Sequence, residues 1–387
     1  MTVKLQLAPS DPPAARRSST KERHAVARLP EQWREALEKL GEPAFRAQQI
    51  FRWIHQHGVF DVEQMSNLAR PLRARLQEQG LGSPLEEVSV RRSSDGTRKL
   101  LLRLHDGFAI ECVMIPRAND EDDDDDLDEE DASAEPLART DRPVTLCIST
   151  QVGCAMGCVF CASGQAGLER GLGAHEIISQ FLVARRHLDA GERIRNVVFM
   201  GMGEPLHHYA DTAQTIRLLT HPLGIGMSPR RITVSTVGLI SGIVKLGEDF
   251  AGKIGLAVSL HAPDGPTRSK IIPMNEHQPL AELIEALRRY PLPKRRRITI
   301  EYTLIHGIND EPAHARRLAE TLRGLPVKVN LIPMNPIHAS SLQSPLTEAV
   351  EAFRRELAQL RVSCSVRQTR GDDVDAACGQ LALNSAV

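Results

Sequence analysis

Seven short runs rich in β-branched residues alternate with amphipathic stretches from residue 143 onwards, and this alternation constrains the fold more than any other feature. The runs are VTLCIST, RNVVFM, RITVST, KIGLAVSL, RITIEYTL, VKVNLIP and CSVRQT. Apolar residues at helical spacing occupy intervening stretches at 174–190, 280–290, 313–323 and 346–360. Strands separated by helices pair in parallel through crossover connections. The sequence therefore predicts an α/β fold over residues 143–387, a full or partial barrel or an open sheet, with the barrel slightly favoured.

The residues before 143 follow other patterns and predict four further segments. Residues 1–28 are rich in Pro, Ser, Ala and Arg without an apolar period, which indicates a disordered tail. Residues 29–82 have apolar positions at helical spacing, which predicts a small helical accessory domain with an exposed basic face. Residues 83–116 contain three strand patterns divided by Ser-Asp-Gly and His-Asp-Gly turns, which predict a β-meander. Residues 117–142 predict a flexible acidic insertion.

Acidic residues are concentrated in one stretch of that insertion. Residues 120–131, DEDDDDDLDEED, hold 11 of the 49 acidic residues, so the rest of the chain has 48 Lys and Arg against 38 Asp and Glu, a net of +10. A basic body favours polyanionic partners, nucleic acid first, although a solvated basic surface without a partner is nearly as common. The acidic run indicates a solvated excursion or, less favoured, a mimic of nucleic acid that covers a basic cleft.

The chain has neither an export signal nor a membrane-spanning pattern in its sequence. No run approaches the roughly 20 apolar residues of a transmembrane helix, and the first 30 residues lack a secretory hydrophobic segment. We therefore expect a soluble, cytoplasmic protein, with a monomer as the default. Seven cysteines, an odd number, argue against a disulfide framework in such a chain and favour metal binding or catalysis.

Three of these cysteines lie within eight residues, in a loop that follows the first predicted barrel strand. They are Cys154, Cys158 and Cys161. Structural zinc sites take four protein ligands, and clusters of four irons usually take four thiolates. Three thiolates would leave one iron open for the amine and carboxylate of S-adenosylmethionine, and this pairing is a route to radical chemistry. The alternatives are a zinc site completed by a distant Cys or His, or three ordinary thiols.

The cysteine loop and its neighbours resemble the radical S-adenosylmethionine superfamily and, within it, the adenine-C2 methyltransferases of 23S rRNA and tRNA. The motifs that carry the resemblance are TLCIST, QVGCAMGCVFC, GMGEP, VSLHAP, NLIPMNP and TRGDDVDAACGQL. The likeness covers residues 30–383 apart from the acidic run. It implies a partial (β/α) barrel of the radical SAM type, and one [4Fe-4S] cluster held by Cys154, Cys158 and Cys161. It also implies that two S-adenosylmethionine molecules are consumed per methylation.

The resemblance assigns the chemistry to Cys378, Cys147 and Glu111. C2 of adenine has no lone pair with which to attack a sulfonium methyl group, so a carbon radical has to add there. The resemblance implies that Cys378 becomes S-methylcysteine and adds to C2 as a methylene radical. Cys147 then resolves the adduct and forms a disulfide that cellular thiols reduce, while Glu111 accepts the C2 proton. Without the resemblance, the two cysteines indicate core positions, with a fourth metal ligand as the alternative for Cys147, and Glu111 indicates a surface strand residue.

The same resemblance implies a set of residues that contact S-adenosylmethionine. They are Gly203, Glu204, Ser235, Ser259, Leu260, His261 and Asn335. Several follow the carboxyl ends of predicted strands, where the ligand sites of such folds gather. Taken alone, GMGEP indicates a common glycine loop and His261 an ordinary loop histidine. Cys112 and Cys364 match no functional position and are expected to be structural.

The implied partners are 23S rRNA, tRNA and an electron donor of the flavodoxin-like type. A target adenine in a loop such as the tRNA anticodon loop can be drawn out of its stack into a pocket. Basic clusters at 184–186, 229–231 and 294–297, together with the helical domain, are the expected phosphate contacts. Two alternatives stay open: a C8-adenine rRNA methyltransferase relative, and a non-catalytic RNA-binding protein with a structural zinc or Fe–S site.

Overall fold

The computed structural model of the chain describes residues 24–117, 142–337 and 340–381. Most of the predicted disordered tail and nearly all of the predicted acidic insertion lie outside these residues. Within the described part of the chain, no helix combines the length and the apolar character needed to cross a bilayer.

The first elements are three short helices, as the sequence predicts for residues 29–82. They are α1 Pro30–Glu38, α2 Arg46–Phe51 and α3 Arg70–Glu78, and α2 continues as a π-helical turn over Arg52–Gln56. Pro30 occupies the first turn of α1, where its missing N–H costs no hydrogen bond. Trp33 and Leu37 on one face of α1 are buried with Ile50 and Phe51 of α2, so the apolar periodicity forms a common core.

Ten strands form one continuous sheet with the order β1-β2-β3-β4-β7-β8-β9-β10-β11-β12. The strands are β1 Leu85–Arg92, β2 Arg98–Leu104, β3 Ala109–Pro116, β4 Arg142–Cys147, β7 Glu192–Phe199, β8 Ile232–Thr236, β9 Gly255–Ser259, β10 Ile298–Leu304, β11 Val327–Pro333 and β12 Cys364–Val366. Strands β1 to β4 pair antiparallel, and β4 to β12 in this order pair parallel. The predicted meander therefore extends the barrel sheet, because β3 pairs with β4.

Two further strands and eight helices complete the described chain. They are the hairpin β5 Gln151–Gly153 and β6 Leu168–Gly171, and the helices α4 Ala162–Ala166, α5 Ala174–Ala184, α6 Tyr209–Thr220, α7 Ile240–Phe250, α8 Gly265–Ile271, α9 Leu280–Arg289, α10 Pro312–Thr321 and α11 Thr347–Gln359. Strands β1 and β12 stand at opposite edges of the sheet and do not pair, so the barrel is open. The predicted partial (β/α) barrel is confirmed.

Residues 24–28 differ from the predicted tail. Ala25–Ala27 form a buried 3-10 turn that packs against α5 and α6, with Val26 fully buried. The Gln214 side-chain amide of α6 donates to the Ala27 carbonyl at 2.8 Å. A run of three small apolar residues is too short to show a helical period in the sequence. Its burial becomes evident only from its contacts with α5 and α6.

Candidate active site

The antiparallel pair β5–β6 closes the cysteine loop at its base. Gly153, the last residue of β5, has φ +74°, and a Cβ atom there would lie 1.9 Å from the Gly167 carbonyl oxygen. That oxygen accepts the backbone N–H of Cys154 at 2.8 Å. A residue with a side chain can occupy neither this conformation nor this space without displacing the backbone. Gly153 therefore sets the position at which the cysteine loop begins.

The three loop cysteines point inward. Cys154 and Cys158 are buried, and Cys161 is half-buried at the start of α4. Burial raises the pKa of Cys154 to about 12 and that of Cys158 well above its ordinary value. Buried thiolates need a strongly cationic partner, and metal ions supply one. The chemistry of this donor set therefore fits a metal centre.

The number of thiols bears on which metal centre the loop fits. A structural zinc site takes four protein ligands, whereas a four-iron cluster held by three thiolates keeps one iron open for another ligand. The three cysteines of this loop match the donor number of such a cluster.

A buried arginine that the sequence patterns did not single out lies beside this loop. Arg268 of α8 is fully buried and donates to the Leu260 and Val237 carbonyls and, at 3.0 Å, to Asn275. Its positive charge opposes the rise in the pKa of Cys158. No local motif marks this residue, because two of its acceptors are backbone carbonyls just beyond the ends of two different strands, β8 and β9.

Beside the cysteine loop lies a cavity of about 150 Å³ at the carboxyl ends of the parallel strands. Six of the seven residues predicted to contact S-adenosylmethionine line it: Gly203, Glu204, Ser235, Ser259, His261 and Asn335. Leu260 is fully buried and is not among the lining residues. Cys161 also lines the cavity, which places its thiol next to the predicted cofactor contacts. The structure brings these residues together, and their contacts with a ligand stay a prediction.

Glu204 and His261 are held in fixed orientations within this cavity. The Glu204 carboxylate accepts backbone N–H groups from Leu206 at 2.9 Å and Val237 at 2.8 Å. Burial nevertheless raises its pKa to about 7. His261, at φ +55°, accepts the Thr303 N–H at Nδ1, and burial lowers its pKa to about 3. The imidazole is therefore neutral at physiological pH, with its proton on Nε2.

The two thiols of the predicted chemistry meet in a second, smaller cavity of about 70 Å³. Cys147 at the end of β4, Cys378 and Cys161 all line it. Cys378 and Cys161 also line the larger cavity, so the two cavities adjoin. Burial and, secondarily, the nearby Cys378 raise the pKa of Cys147 to about 12. Cys147 and Cys378 are 231 positions apart in the chain, and the fold brings them to one chamber.

The segment that carries Cys378, residues 367–381, spans the gap between the two edges of the open sheet. The turn between β1 and β2 holds one side, because Asp95 accepts the Gly371 N–H and Asp373 accepts the Ser94 N–H, both at 3.0 Å. The cysteine loop holds the other side, where the Ala162 N–H donates to the Gly379 carbonyl at 2.8 Å. This segment is called the Cys378 segment below.

Asn335 fixes the backbone of the reactive cysteine. Its amide donates to the Cys378 carbonyl at 3.0 Å, and its oxygen accepts the Thr369 hydroxyl at 3.1 Å. The resemblance assigned Asn335 to the cofactor alone. The structure adds a second role, because this side chain ties the Cys378 segment to the end of β11.

Arg367 is a second arginine that the sequence analysis did not single out. It lines both cavities, and its charge acts on Cys378, Glu301 and Cys147. The sequence signal was present in the CSVRQT strand pattern, but that pattern gives no direction for the side chain.

Glu111 is buried on β3, contrary to the surface position that its sequence context alone indicates. Its Oε1 pairs with Lys99 Nζ at 3.0 Å, and Lys99 also donates to the Asp375 carbonyl at 3.1 Å. Glu111 lies on the same face of β3 as Val113, which lines the smaller cavity. The carboxylate is therefore linked through Lys99 to the Cys378 segment, and it lies beside the smaller cavity rather than in its wall.

The sheet forms an open (β/α) barrel, and the loop after its first parallel strand presents three cysteines beside a cavity. This combination defines the class of radical S-adenosylmethionine enzymes. The family model described as the Radical SAM superfamily matches residues 148–319. The model described as the ribosomal RNA large subunit methyltransferase N-terminal domain matches residues 30–80.

Known relatives narrow the class to one family. The chain is 58% identical to the dual-specificity RNA methyltransferase RlmN of Sorangium cellulosum, over 94% of this chain and 96% of that one. It is 43% identical to the RlmN of Marinobacter nauticus, over 89% and 88% of the two chains. The crystal structure of a radical SAM methyltransferase from Sphaerobacter thermophilus covers 93% of this chain and 99% of its own, with 40% identity and a TM-score of 0.82. The chain belongs to the RlmN family of dual-specificity RNA methyltransferases.

This membership confirms the family resemblance, the enzyme class and the cofactors. The family uses a [4Fe-4S] cluster and S-adenosylmethionine. The alternative of a non-catalytic RNA-binding protein is therefore wrong. Cys154, Cys158 and Cys161 are the residues of this chain that would hold the cluster.

Proposed function

We propose that this protein methylates C2 of an adenine in 23S rRNA and in the tRNA anticodon loop, through a methyl group carried by Cys378. The observation that supports the proposal most directly is the shared chamber of Cys147 and Cys378, which adjoins the cavity of the predicted S-adenosylmethionine contacts. An enzyme that transferred the methyl group directly to RNA would have no use for two thiols in this position.

When bound, the cluster and S-adenosylmethionine would supply a methyl group, the radical that removes a hydrogen atom from it, and an acceptor for the one electron that the RNA adduct has to give up. The Cys378 thiol loses its proton and forms a bond to the methyl carbon, while the bond from that carbon to the sulfonium sulfur breaks with its electron pair left on that sulfur. The methyl carbon, after loss of one hydrogen atom, forms a bond to C2 of the adenine and joins the protein to the RNA, and the adduct then loses its unpaired electron.

Release of the RNA needs a base and a nucleophile, and Glu111 and Cys147 are proposed for these roles. Glu111 accepts the C2 proton, and its link to Lys99 keeps the carboxylate beside the chamber. The Cys147 thiol gives up its proton and its sulfur attacks the Cys378 sulfur, so that the bond between Cys378 and the methylene carbon breaks. The electron pair of that bond goes to the adenine methylene group, which takes up a proton and becomes the methyl group on C2. The product is a disulfide, which external thiols reduce by exchange. The positive charge of Arg367 favours the Cys147 thiolate needed for this attack.

The decisive experiment replaces Cys378 by Ala and measures 2-methyladenosine by mass spectrometry of digested RNA. We expect methylation to disappear while the anaerobically purified protein keeps its iron and sulfide. The matched control is Cys364→Ala, since Cys364 lines neither cavity. Persistent 2-methyladenosine in the Cys378 variant would refute the carrier role, and 8-methyladenosine from the unaltered protein would assign the chain to C8 chemistry instead.

The remaining parts of the proposal concern the setting of the enzyme. We propose a cytoplasmic monomer that receives electrons from a flavodoxin-like donor. Gel filtration of the holoenzyme tests the monomer, and reduction of the cluster by purified flavodoxin tests the donor.

A further inference from the structure

Arg268 is a fully buried cation in the helix on which the cysteine loop rests. The carbonyl of Ile271, in the same helix α8, accepts the backbone N–H of Val159 at 3.1 Å. Val159 lies between two of the three cluster cysteines in the chain. Ile271 also belongs to the same buried apolar cluster as Cys158. Helix α8 therefore joins the guanidinium of Arg268 to the loop that would hold the iron–sulfur cluster.

The guanidinium donates to neutral oxygen atoms. They are the carbonyl oxygens of Val237 and, at 3.3 Å, Leu260, and the side-chain oxygen of Asn275 at 3.0 Å, with a longer contact of 3.5 Å to the Ser259 carbonyl. The Asn275 side-chain nitrogen donates to two other groups, at 3.1 and 2.8 Å, so the amide oxygen is the atom that faces the guanidinium. These contacts use the N–H groups of Arg268 but do not neutralise its charge.

The positive charge of Arg268 acts on the cysteine loop. Burial lowers the pKa of Arg268 to about 10, and among the described residues Cys158 is the ionisable group whose charge opposes that shift. A buried charge is costly unless it is paired, and a neutral amide side chain could donate to the same carbonyls without this cost. The conservation of energy in the fold therefore favours an anion at the cysteine loop as the partner of Arg268.

Loading of the loop with iron and sulfide supplies that anion. Cysteines bind iron as thiolates, so Cys158 becomes negatively charged beside Arg268. Reduction of the cluster adds one further negative charge to the same place. A fixed cation stabilises the state with more negative charge, and salt screens this attraction only weakly in a buried site. The net charge around an iron–sulfur cluster is one of the factors that set its reduction potential.

We propose that Arg268 is a positioning residue with an electrostatic role: its buried charge pairs with the loaded cluster and makes the cluster easier to reduce. Its hydrogen bonds have a separate role, because they hold the chain just beyond β8 and β9. Arg268 lines neither the chamber of Cys147 and Cys378 nor the cavity of the predicted S-adenosylmethionine contacts. The proposal therefore does not depend on which adenine carbon the protein methylates.

The test is a redox titration of the anaerobic holoenzyme, followed by electron paramagnetic resonance, in the unaltered chain, Arg268→Met and Arg268→Lys. We expect the equilibrium constant for one-electron reduction to be at least tenfold lower in Arg268→Met, a shift of about 59 mV to lower potential. A unit charge about 10 Å away has roughly this effect at an effective dielectric constant of about 20. Arg268→Lys should stay close to the unaltered chain, because it keeps the charge while it loses most of the hydrogen bonds.

Two further variants complete the experiment. Arg289→Met is the matched control, since Arg289 is exposed and pairs with Glu285, and its cluster should have the potential of the unaltered chain. Asn275→Asp leaves Arg268 in place and puts a carboxylate where the amide oxygen now accepts from the guanidinium at 3.0 Å. The carboxylate offsets the charge of Arg268, so this variant should also have a lower potential. If Arg268→Met takes up no iron and sulfide, Asn275→Asp carries the test.

Two results would overturn the proposal. One is an unchanged potential in Arg268→Met or, where that variant holds no cluster, in Asn275→Asp. The other is an equal shift in Arg268→Met and Arg268→Lys, since the hydrogen bonds rather than the charge would then control the potential. Iron and sulfide per chain, measured for every variant, establish that the same cluster is compared.

Discussion

The Gly153→Ala substitution should lower the free energy of unfolding by more than the cost of the left-handed backbone conformation alone. A left-handed conformation costs a non-glycine residue about 1–2 kcal/mol. The new Cβ would also lie 1.9 Å from the Gly167 carbonyl oxygen, so the hydrogen bond from the Cys154 N–H to that oxygen has to break. The lost hydrogen bond and a buried unpaired group add about 1–3 kcal/mol. We therefore expect a loss of about 2–5 kcal/mol.

Gly226→Ala provides the matched control for this substitution. Gly226 has φ +66°, close to that of Gly153, but a Cβ there meets no atom within 4 Å. Its replacement should cost about 1–2 kcal/mol, the conformational part alone.

The assay has two readouts, one for the fold and one for the loop. Urea unfolding of the iron-free protein gives the loss of stability, and iron and sulfide per chain after anaerobic reconstitution report the position of Cys154. Gly153→Ala should lower both, whereas Gly226→Ala should lower stability only. Equal stability losses, or full iron content in Gly153→Ala, would refute the argument that this close approach positions the loop.

Three further predictions follow from the chamber and the core. Cys147→Ser should leave RNA covalently attached to Cys378, seen as a shifted band on a denaturing gel, and no band should form once Cys378 is also replaced by Ala. Arg367→Met should raise the pKa of Cys147 further and slow oxidation of the Cys147 and Cys378 thiols to a disulfide, as followed by mass spectrometry, and Arg367→Lys should restore part of the rate. His55 is fully buried, and burial lowers its pKa to about 3, so below pH 6.5 the unfolded chain takes up a proton at His55 that the folded chain does not, and the fold is destabilised progressively until the pH reaches about 3. Between pH 7 and 4.5 the unaltered chain should therefore lose about 2–3 kcal/mol more than His55→Gln in urea unfolding, and parallel losses would contradict this account.

The sequence predicted the sheet well where the pattern is dense and local. Each of the seven β-branched runs overlaps one parallel strand of the structure, because a strand buried on both faces requires continuous apolar residues. The β5–β6 hairpin was missed, because strands of three and four residues carry no usable period. The pairing of β3 with β4, which joins the meander to the barrel sheet, was also missed. The acidic insertion separates these two strands in the chain, so no local pattern links them.

The residues of the candidate site could be named from the sequence, but their geometry could not. The cysteine loop is a local motif, and the family resemblance supplied Cys147 and Cys378, yet no spacing in the chain indicates that these two line one chamber. Arg268 and Arg367 carry no motif, because each acts through side chains contributed by other strands and helices. The dual use of Asn335 was also invisible, since a hydrogen bond to the Cys378 carbonyl depends on the path of the Cys378 segment.

The Cys378 segment makes the order of synthesis relevant to the safety of the chemistry. The sheet edges formed by β1 and β12 are bridged by residues 367–381, which are made after every other part of the chamber wall. A growing chain on the ribosome can already present its three cluster cysteines while the chamber still lacks this wall and the thiol that accepts the methyl group. A reactive carbon species formed at that stage would meet solvent instead of its target, so the protein becomes competent only when residues 367–381 have been translated.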